Sequence, residues 1–321
     1  MLRNPGSCIA LSALFAALAC GQAPSPKSID IGAREAPLSD GERTDLDQAV
    51  RKHNYADEKA VIDRALSEHP LSRELQILAG RLAYLEKHPK DAAEALERAD
   101  KIQPLSADDR MTLALAQQFS GQPGAARAEI AKLTSAFPKN AQYAYLLGRF
   151  DVQNKHMEDA VTDFRKAIAL DPNLLRAYEE MGQVQEILGL TDDALKTYET
   201  GAARNRLQKP AWEWPPLDLG VLQLKEGKLD QAEKLILESL QYNPRFGWAH
   251  YYLAQLYQKK GKNAESLAEY RAAVVNDHTL RQAWLALGRE YTRLGQKAEA
   301  DKCLAIFKQL EDRENARTGK K

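Results

Sequence analysis

Six histidines and three cysteines are the side chains of this 321-residue chain best suited to bind a metal or act as nucleophiles. The histidines are His53, His69, His88, His156, His250 and His278. No two stand four residues apart and no His-Glu-x-x-His occurs, so a zinc site is unsupported. His69 precedes Pro70, and His88 and His156 fall where turns are expected, which reads as solvated surface; only His250, beside Tyr251 and Tyr252, sits inside a helical stretch. Cys8 and Cys20 belong to an apolar N-terminal run, which leaves Cys303 without an intramolecular partner and the chain without a disulfide framework. Gly227-Lys228 and Gly261-Lys262 lack the rest of a phosphate-cradling loop, and no Gly-x-Ser-x-Gly elbow occurs. Carboxylate pairs such as Glu179-Glu180 and Asp192-Asp193 are abundant, but neighbours on a helix point in different directions, and acids at a helix start stabilise its dipole. The expectation is therefore no catalytic residue, no cofactor and no metal: a chain that is not an enzyme.

Forty-five basic and forty-five acidic residues cancel, so no long-range field favours nucleic acid or an acidic membrane surface. An apolar content of 44% with 28% charge is that of a folded, core-forming chain.

Residues 1–19 carry Arg3 and then an apolar run from Cys8 to Ala19, with Ile9, Leu11, Leu14, Phe15 and Leu18. A spanning helix needs roughly 20 apolar residues, so this shorter run reads as an export signal rather than a membrane span. Ala17-Leu18-Ala19-Cys20-Gly21 resembles the lipobox of bacterial lipoproteins, with Ala17 where a larger aliphatic residue is usual. That resemblance implies that Cys20 becomes the lipid-modified N-terminus and, since Gly21 rather than Asp follows it, an outer-membrane-anchored periplasmic protein. Ala-x-Ala is also the pattern of ordinary signal cleavage, and the alternative is soluble export. Residues 20–38, with Pro24, Ser25, Pro26, Ser28 and Pro37, read as a flexible tether.

The elements behind these residues repeat with a period of 34. Small residues recur at Gly80, Ala114, Gly148 and Gly182 and, after a four-residue insertion, at Gly220, Ala254 and Gly288. Twelve residues later stands a second small residue: Ala92, Ala126, Ala160, Ala194, Ala232, Ser266 and Ala300. Four further on are Leu96, Ile130, Phe164, Tyr198, Ile236, Tyr270 and Leu304, one helical turn along the same face. Two helices must cross at the small residues, with the large ones filling the core. Pro70, Pro104, Pro138, Pro172 and Pro244 close most units, because proline cannot continue a helix.

This pattern resembles the tetratricopeptide repeat, most fully in residues 141–174 (Leu147-Gly148, Ala160, Phe164, Ala167, Pro172) and 281–314 (Trp284, Leu287-Gly288, Tyr291, Ala300). In that register the units are 39–72, 73–106, 107–140, 141–174, 175–208, 213–246, 247–280 and 281–314, with 315–321 a polar tail. The first unit has Leu46 and Glu58 in place of the small residues, as a capping repeat would. The resemblance implies an all-α fold, a right-handed superhelical solenoid of eight helix–turn–helix repeats, whose concave groove binds extended peptides or partner helices.

On each first helix, repeat positions 4, 7, 8 and 11 form one stripe, which carries the Leu-Gly signature and faces the core. Positions 2, 5, 9 and 12 form another, which by the family resemblance lines the groove. In repeats two to five that stripe is mixed. In repeat six it is Trp214, Leu217, Val221 and Leu224, apolar on both faces; repeat seven adds Trp248, Tyr251 and Gln255, and repeat eight Arg289. Lys225, Lys259 and Arg293, all at position 13, add a basic edge. The expected partner-binding groove is Trp214, Leu217, Val221, Trp248, Tyr251, Gln255, Lys259, Arg289 and Arg293, unless the insertion with Pro210 and Trp212 folds over the apolar stripe or Pro215-Pro216 shifts the helix start. Trp284, at position 4, reads as core. The asparagines of the family's carboxylate clamp are absent from position 9, held by Val221, Gln255 and Arg289, so chaperone-tail recognition is not expected.

The function these readings point to is a non-catalytic protein-binding scaffold in the bacterial cell envelope, serving assembly of a pilus, secretion or outer-membrane complex. Its partners would be proteins and, through Cys20, a lipid anchor, with no nucleic acid. The rival reading is an enzyme, or the substrate-holding subunit of one, acting on cell-envelope material.

Overall fold

A computed structural model describes residues 36–318. The export signal, Cys20 and the tether up to residue 35 lie outside the described residues. Two compact units divide the chain, one ending at Leu170 and the other beginning at Asp171. Unit one contains α1 (Asp40–Arg51), α2 (Tyr55–Glu68), α3 (Arg73–Leu85), α4 (Pro89–Ile102), α5 (Ala107–Phe119), α6 (Pro123–Ala136), α7 (Ala141–Gln153) and α8 (Met157–Leu170). Unit two contains α9 (Leu175–Ile187), α10 (Thr191–Asn205), α11 (Trp214–Lys225), α12 (Leu229–Tyr242), α13 (Gly247–Lys259), α14 (Asn263–Asn276), α15 (Arg281–Arg293) and α16 (Lys297–Thr318). Each unit is four helix–turn–helix repeats, and the fold is the all-α solenoid type that the 34-residue period predicts. Helix α16 runs past residue 314, so the polar tail begins as helix. Among the described residues no helix is long and apolar enough to cross a membrane.

Local chemistry sets the helix ends. Side chains of Ser72, Ser106 and Asn140 accept from backbone N–H groups of the first turns of α3, α5 and α7, while Pro89 and Pro123 open α4 and α6, where a missing N–H costs nothing. Position 15 of every repeat has positive φ: five are glycines, and His53, Lys87 and Lys155 adopt φ of 51°, 63° and 63°. The N–H of the following residue then reaches back to the carbonyl at position 11, as in His156 to Asp151 at 2.8 Å, closing a left-handed helix cap.

Within each repeat the helices cross at the small residues. A methyl group added to Gly148 would stand 2.9 Å from the Phe164 ring, and one on Gly182 only 2.3 Å from the Tyr198 ring. Ala92, Ala126, Ala160, Ala194, Ala232 and Ser266 are fully buried at the same crossings. The first repeat is a complete hairpin despite its weak motif, begun by a capping box in which Ser39 and Glu42 bond each other's backbone N–H groups. Glu58, at a small-residue position, is buried there, and that burial pushes its carboxyl pKa up.

Consecutive repeats share cores. Leu46, Val61 and Ile62 pack with Leu75, Leu78 and Leu82, and in the same way Leu96 and Ala99 pack with Leu113 and Ala116. In unit two, Tyr198 and Ala202 meet Leu219 and Leu222. Burying a side chain of this size contributes roughly 1.5–3 kcal/mol, and the 34-residue register is what brings the layers together.

Candidate binding surface

The stripe expected to line a groove is in large part a seam between repeats. Leu217 and Val221 of α11 are fully buried in one cluster with Ala249, Tyr252, Leu253 and Leu256 of α13. They belong to the core rather than to an open surface. The reason is geometric: positions 5, 9 and 12 of one first helix face forward along the stack, and positions 3, 6, 7 and 10 of the next first helix pack onto them. Polar contacts follow the same geometry. Arg81, at position 9, bonds Asp109 at position 3 of the next repeat at 2.7 Å, and Gln258, at position 12, bonds Glu290 at position 10 at 2.5 Å. Within repeat four, Tyr145 and Arg149 at positions 5 and 9 are also fully buried, Tyr145 against the Phe164 ring and Arg149 over the Tyr145 ring.

The insertion does not provide the cover. Asn205, itself fully buried, donates to the Trp212 carbonyl at 2.7 Å and accepts from the Trp212 N–H at 2.8 Å, which folds the loop back on the end of α10. Arg176 lies over the Trp212 ring at 5.8 Å. Helix α11 nonetheless starts at Trp214 with Pro215 and Pro216 in its first turn, so the register holds.

Along repeats seven and eight the stripe opens. Trp248 and Tyr251 are half-buried and pack against both the repeat six–seven and the repeat seven–eight cores. Trp248 stacks on Tyr252 at 6.1 Å and meets Tyr251 edge-on at 6.0 Å; Tyr251 also contacts Tyr270 at 6.0 Å. Trp214 is half-buried edge-on to Phe246 at 4.8 Å. Burial pushes the Tyr251 hydroxyl up to about 12 against opposing pulls from the Gln255 amide, which hydrogen-bonds it, and from the Arg289 charge. Tyr251, Gln255 and Arg289 are thus brought together across two repeats. Lys259 and Arg289 are exposed. Arg293 is exposed as well but is engaged by Glu290, to which its Nη2 donates at 2.8 Å. Trp284 is half-buried against the repeat seven–eight core and donates its indole N–H to the His278 carbonyl at 2.9 Å.

The sequence reading missed Glu290, buried at 3% exposure and hydrogen-bonded from two sides. Its signal was a carboxylate at position 10, where the first helices of repeats two to seven carry Leu82, Ala116, Phe150, Val184, Leu222 and Leu256. His250 is explained by its partners: Nδ1 lies 2.6 Å from Glu269 and Nε2 3.0 Å from the Pro244 carbonyl, so it ties α13 to α14 and to the preceding turn.

Unit one holds an acidic cluster that spacing did not reveal. Asp151, His156 and Asp159 bring one ligand atom each to within 4.8 Å of one another. The cation they face is a guanidinium: Arg127 donates to Asp151 through Nε and, at 3.2 Å, through Nη2, and its Nη2 is 3.6 Å from Asp159. Asp163 completes the group; its own burial, then its hydrogen bond to Asp151, push its carboxyl up to about 7. The arrangement is a partly buried ion-pair network of one guanidinium and three carboxylates.

Comparison with known proteins agrees with the geometry. Tetratricopeptide repeat family models match residues 46–107, 111–174, 217–279 and 282–305. Cellulose synthase operon protein C of Pseudomonas fluorescens (strain SBW25) is 26% identical over 158 residues, which are 47% of this chain; the chain spans 12% of that protein. Among solved structures, a tetratricopeptide repeat protein from Parabacteroides merdae ATCC 43184 aligns with a TM-score of 0.57 at 18% identity, covering 74% of this chain and 96% of that one. PilW, a widely conserved type IV pilus biogenesis factor, aligns with a TM-score of 0.52 at 19% identity, covering 62% and 90%. With eight repeats in register and family models matched over more than half of its residues, the chain belongs to the tetratricopeptide-repeat family.

Proposed function

We propose that the chain is a non-catalytic scaffold of the bacterial cell envelope, anchored through Cys20, that holds a segment of a partner protein on repeats seven and eight of unit two and so serves the assembly of an envelope complex. Tetratricopeptide repeats are protein-binding modules, which gives the class of partner. One observation carries the choice of surface. The forward stripe that is sealed by packing in repeat six opens at repeats seven and eight, where half-buried aromatic rings adjoin exposed cations. Aromatic and arginine side chains dominate interface energies, and truncating a central one typically costs ~2 kcal/mol or more. The envelope placement rests on the leader and on Ala17-Leu18-Ala19-Cys20; the likeness to PilW speaks to the fold.

Site-specific photo-crosslinking in cells tests the reading. Benzoylphenylalanine in place of Thr292, exposed on α15 three residues from Arg289, should yield discrete protein adducts in the envelope fraction, whereas the same probe at exposed Lys196, on the second helix of repeat five, should not. Equal adducts at both sites, or none at either, would sink the proposal.

A further inference from the structure

In repeats two to eight, the first helices carry six cations at positions 9 and 13, and four of them are compensated. Arg81 is paired with Asp109, Lys225 with Glu186 and Arg293 with Glu290, while Arg149 is buried with its guanidinium over the Tyr145 ring. Lys259 and Arg289 differ. Both are exposed, and among the described residues neither has an ion-pair or hydrogen-bond partner. Lys259 stands one helical turn beyond Gln255, and Gln255 and Arg289 both act on the Tyr251 hydroxyl, so the polar end of this surface offers two uncompensated cations. Glu290, the buried carboxylate of α15, is satisfied by Gln258 and Arg293. Because the chain as a whole has no net charge, this excess is local to the surface.

We propose that repeats seven and eight recognise a protein segment bearing side-chain carboxylates next to an apolar or aromatic anchor, the carboxylates on Lys259 and Arg289 and the anchor on Tyr251 and Trp248. The inference rests on the reading of this surface as the partner site and adds the chemistry of the partner. An arginine fork binds carboxylate bidentately, and exposed opposite charges steer association and set specificity more than they add raw affinity. The contact is therefore salt-sensitive.

A random twelve-residue peptide library displayed on phage, panned against the full chain, provides the test. Enriched peptides are resynthesised with a photoreactive anchor, their crosslinks are mapped by mass spectrometry, and their affinities are measured for wild type and for the Lys259→Gln/Arg289→Gln double variant. Both replaced side chains are exposed, and circular dichroism verifies the fold. The expected result is a pool at least twofold enriched in Asp and Glu, crosslinks on α13 and α15, and at least tenfold weaker binding by the double variant and by Glu→Gln versions of the peptides. Peptides that crosslink to α13 and α15 but show no acidic enrichment, or bind the double variant undiminished, overturn the carboxylate inference while leaving the surface as the partner site. An unenriched pool, or crosslinks elsewhere, removes the surface itself and the inference with it.

Discussion

Asp163 is the side chain whose behaviour departs furthest from what its position in the sequence suggests. It is part of a group of three carboxylates facing one guanidinium, and burial with the neighbouring Asp151 holds its proton until about pH 7. The sign follows from linkage: the folded chain holds this proton more tightly than the unfolded chain, so the stabilising contribution is complete below the ordinary aspartate range and is lost as pH rises to about 7. Asp163→Asn should therefore raise the denaturant midpoint at pH 8, by on the order of 1–2 kcal/mol given its partial solvent contact, with the gain shrinking toward pH 4. A variant whose advantage over wild type is the same at both pH values would contradict the shared-proton account. Sequence spacing could not reveal the cluster, because Arg127, Asp151 and Asp163 lie on three different helices.

At the scale of elements, two features of the repeat have measurable consequences. The turn between helices demands a left-handed residue, and Lys87 and Lys155 supply it at a steric cost that glycine escapes. Both side chains are exposed, so Lys155→Gly should stabilise unit one by about 0.5–1 kcal/mol, read as a higher urea midpoint. A lower midpoint would mean that the turn is set by something other than this backbone angle. The second feature is the seam. Leu217 is sealed between α11 and α13, whereas Leu285, at the same repeat position in α15, is only half-buried. Leu217→Ala should cost about 2–5 kcal/mol, as buried leucine truncations do, and Leu285→Ala less than about 1. Equal costs would mean that position 5 does not carry the packing between repeats. The same packing implies that Trp248→Ala lowers the unfolding midpoint as well as any partner affinity, since Trp248 touches two cores.

For the whole molecule, the balanced charge of 45 basic and 45 acidic residues gives no electrostatic attraction to an anionic membrane surface, so the proposed attachment rests on the N-terminal sequence alone. If Cys20 carries the anchor, Cys20→Ser should move the protein from the membrane to the soluble fraction and abolish uptake of labelled fatty acid. A variant that stays membrane-bound, beside a wild type that takes up no label, would identify ordinary export.

Sequence by itself determined the repeat and its phase. Small residues every 34 positions admit only crossing helices, because side chains at Gly148 or Gly182 would overlap the Phe164 and Tyr198 rings, and the same register placed all eight turns and the sixteen described helices. What it left undecided is which apolar stripe faces solvent. Leu217 and Val221 read the same on paper whether a partner or the next repeat covers them, since periodicity fixes the face of a helix and not its neighbour. Tertiary stacking decided that, burying the forward stripe in repeat six and opening it at Tyr251, Gln255 and Arg289. It also decided which cations are already spent on neighbours: of Lys225, Lys259 and Arg293, which share one repeat position, Arg293 pairs within its own helix with Glu290 three residues before it, whereas packing brings Glu186 to Lys225 and leaves Lys259 to solvent.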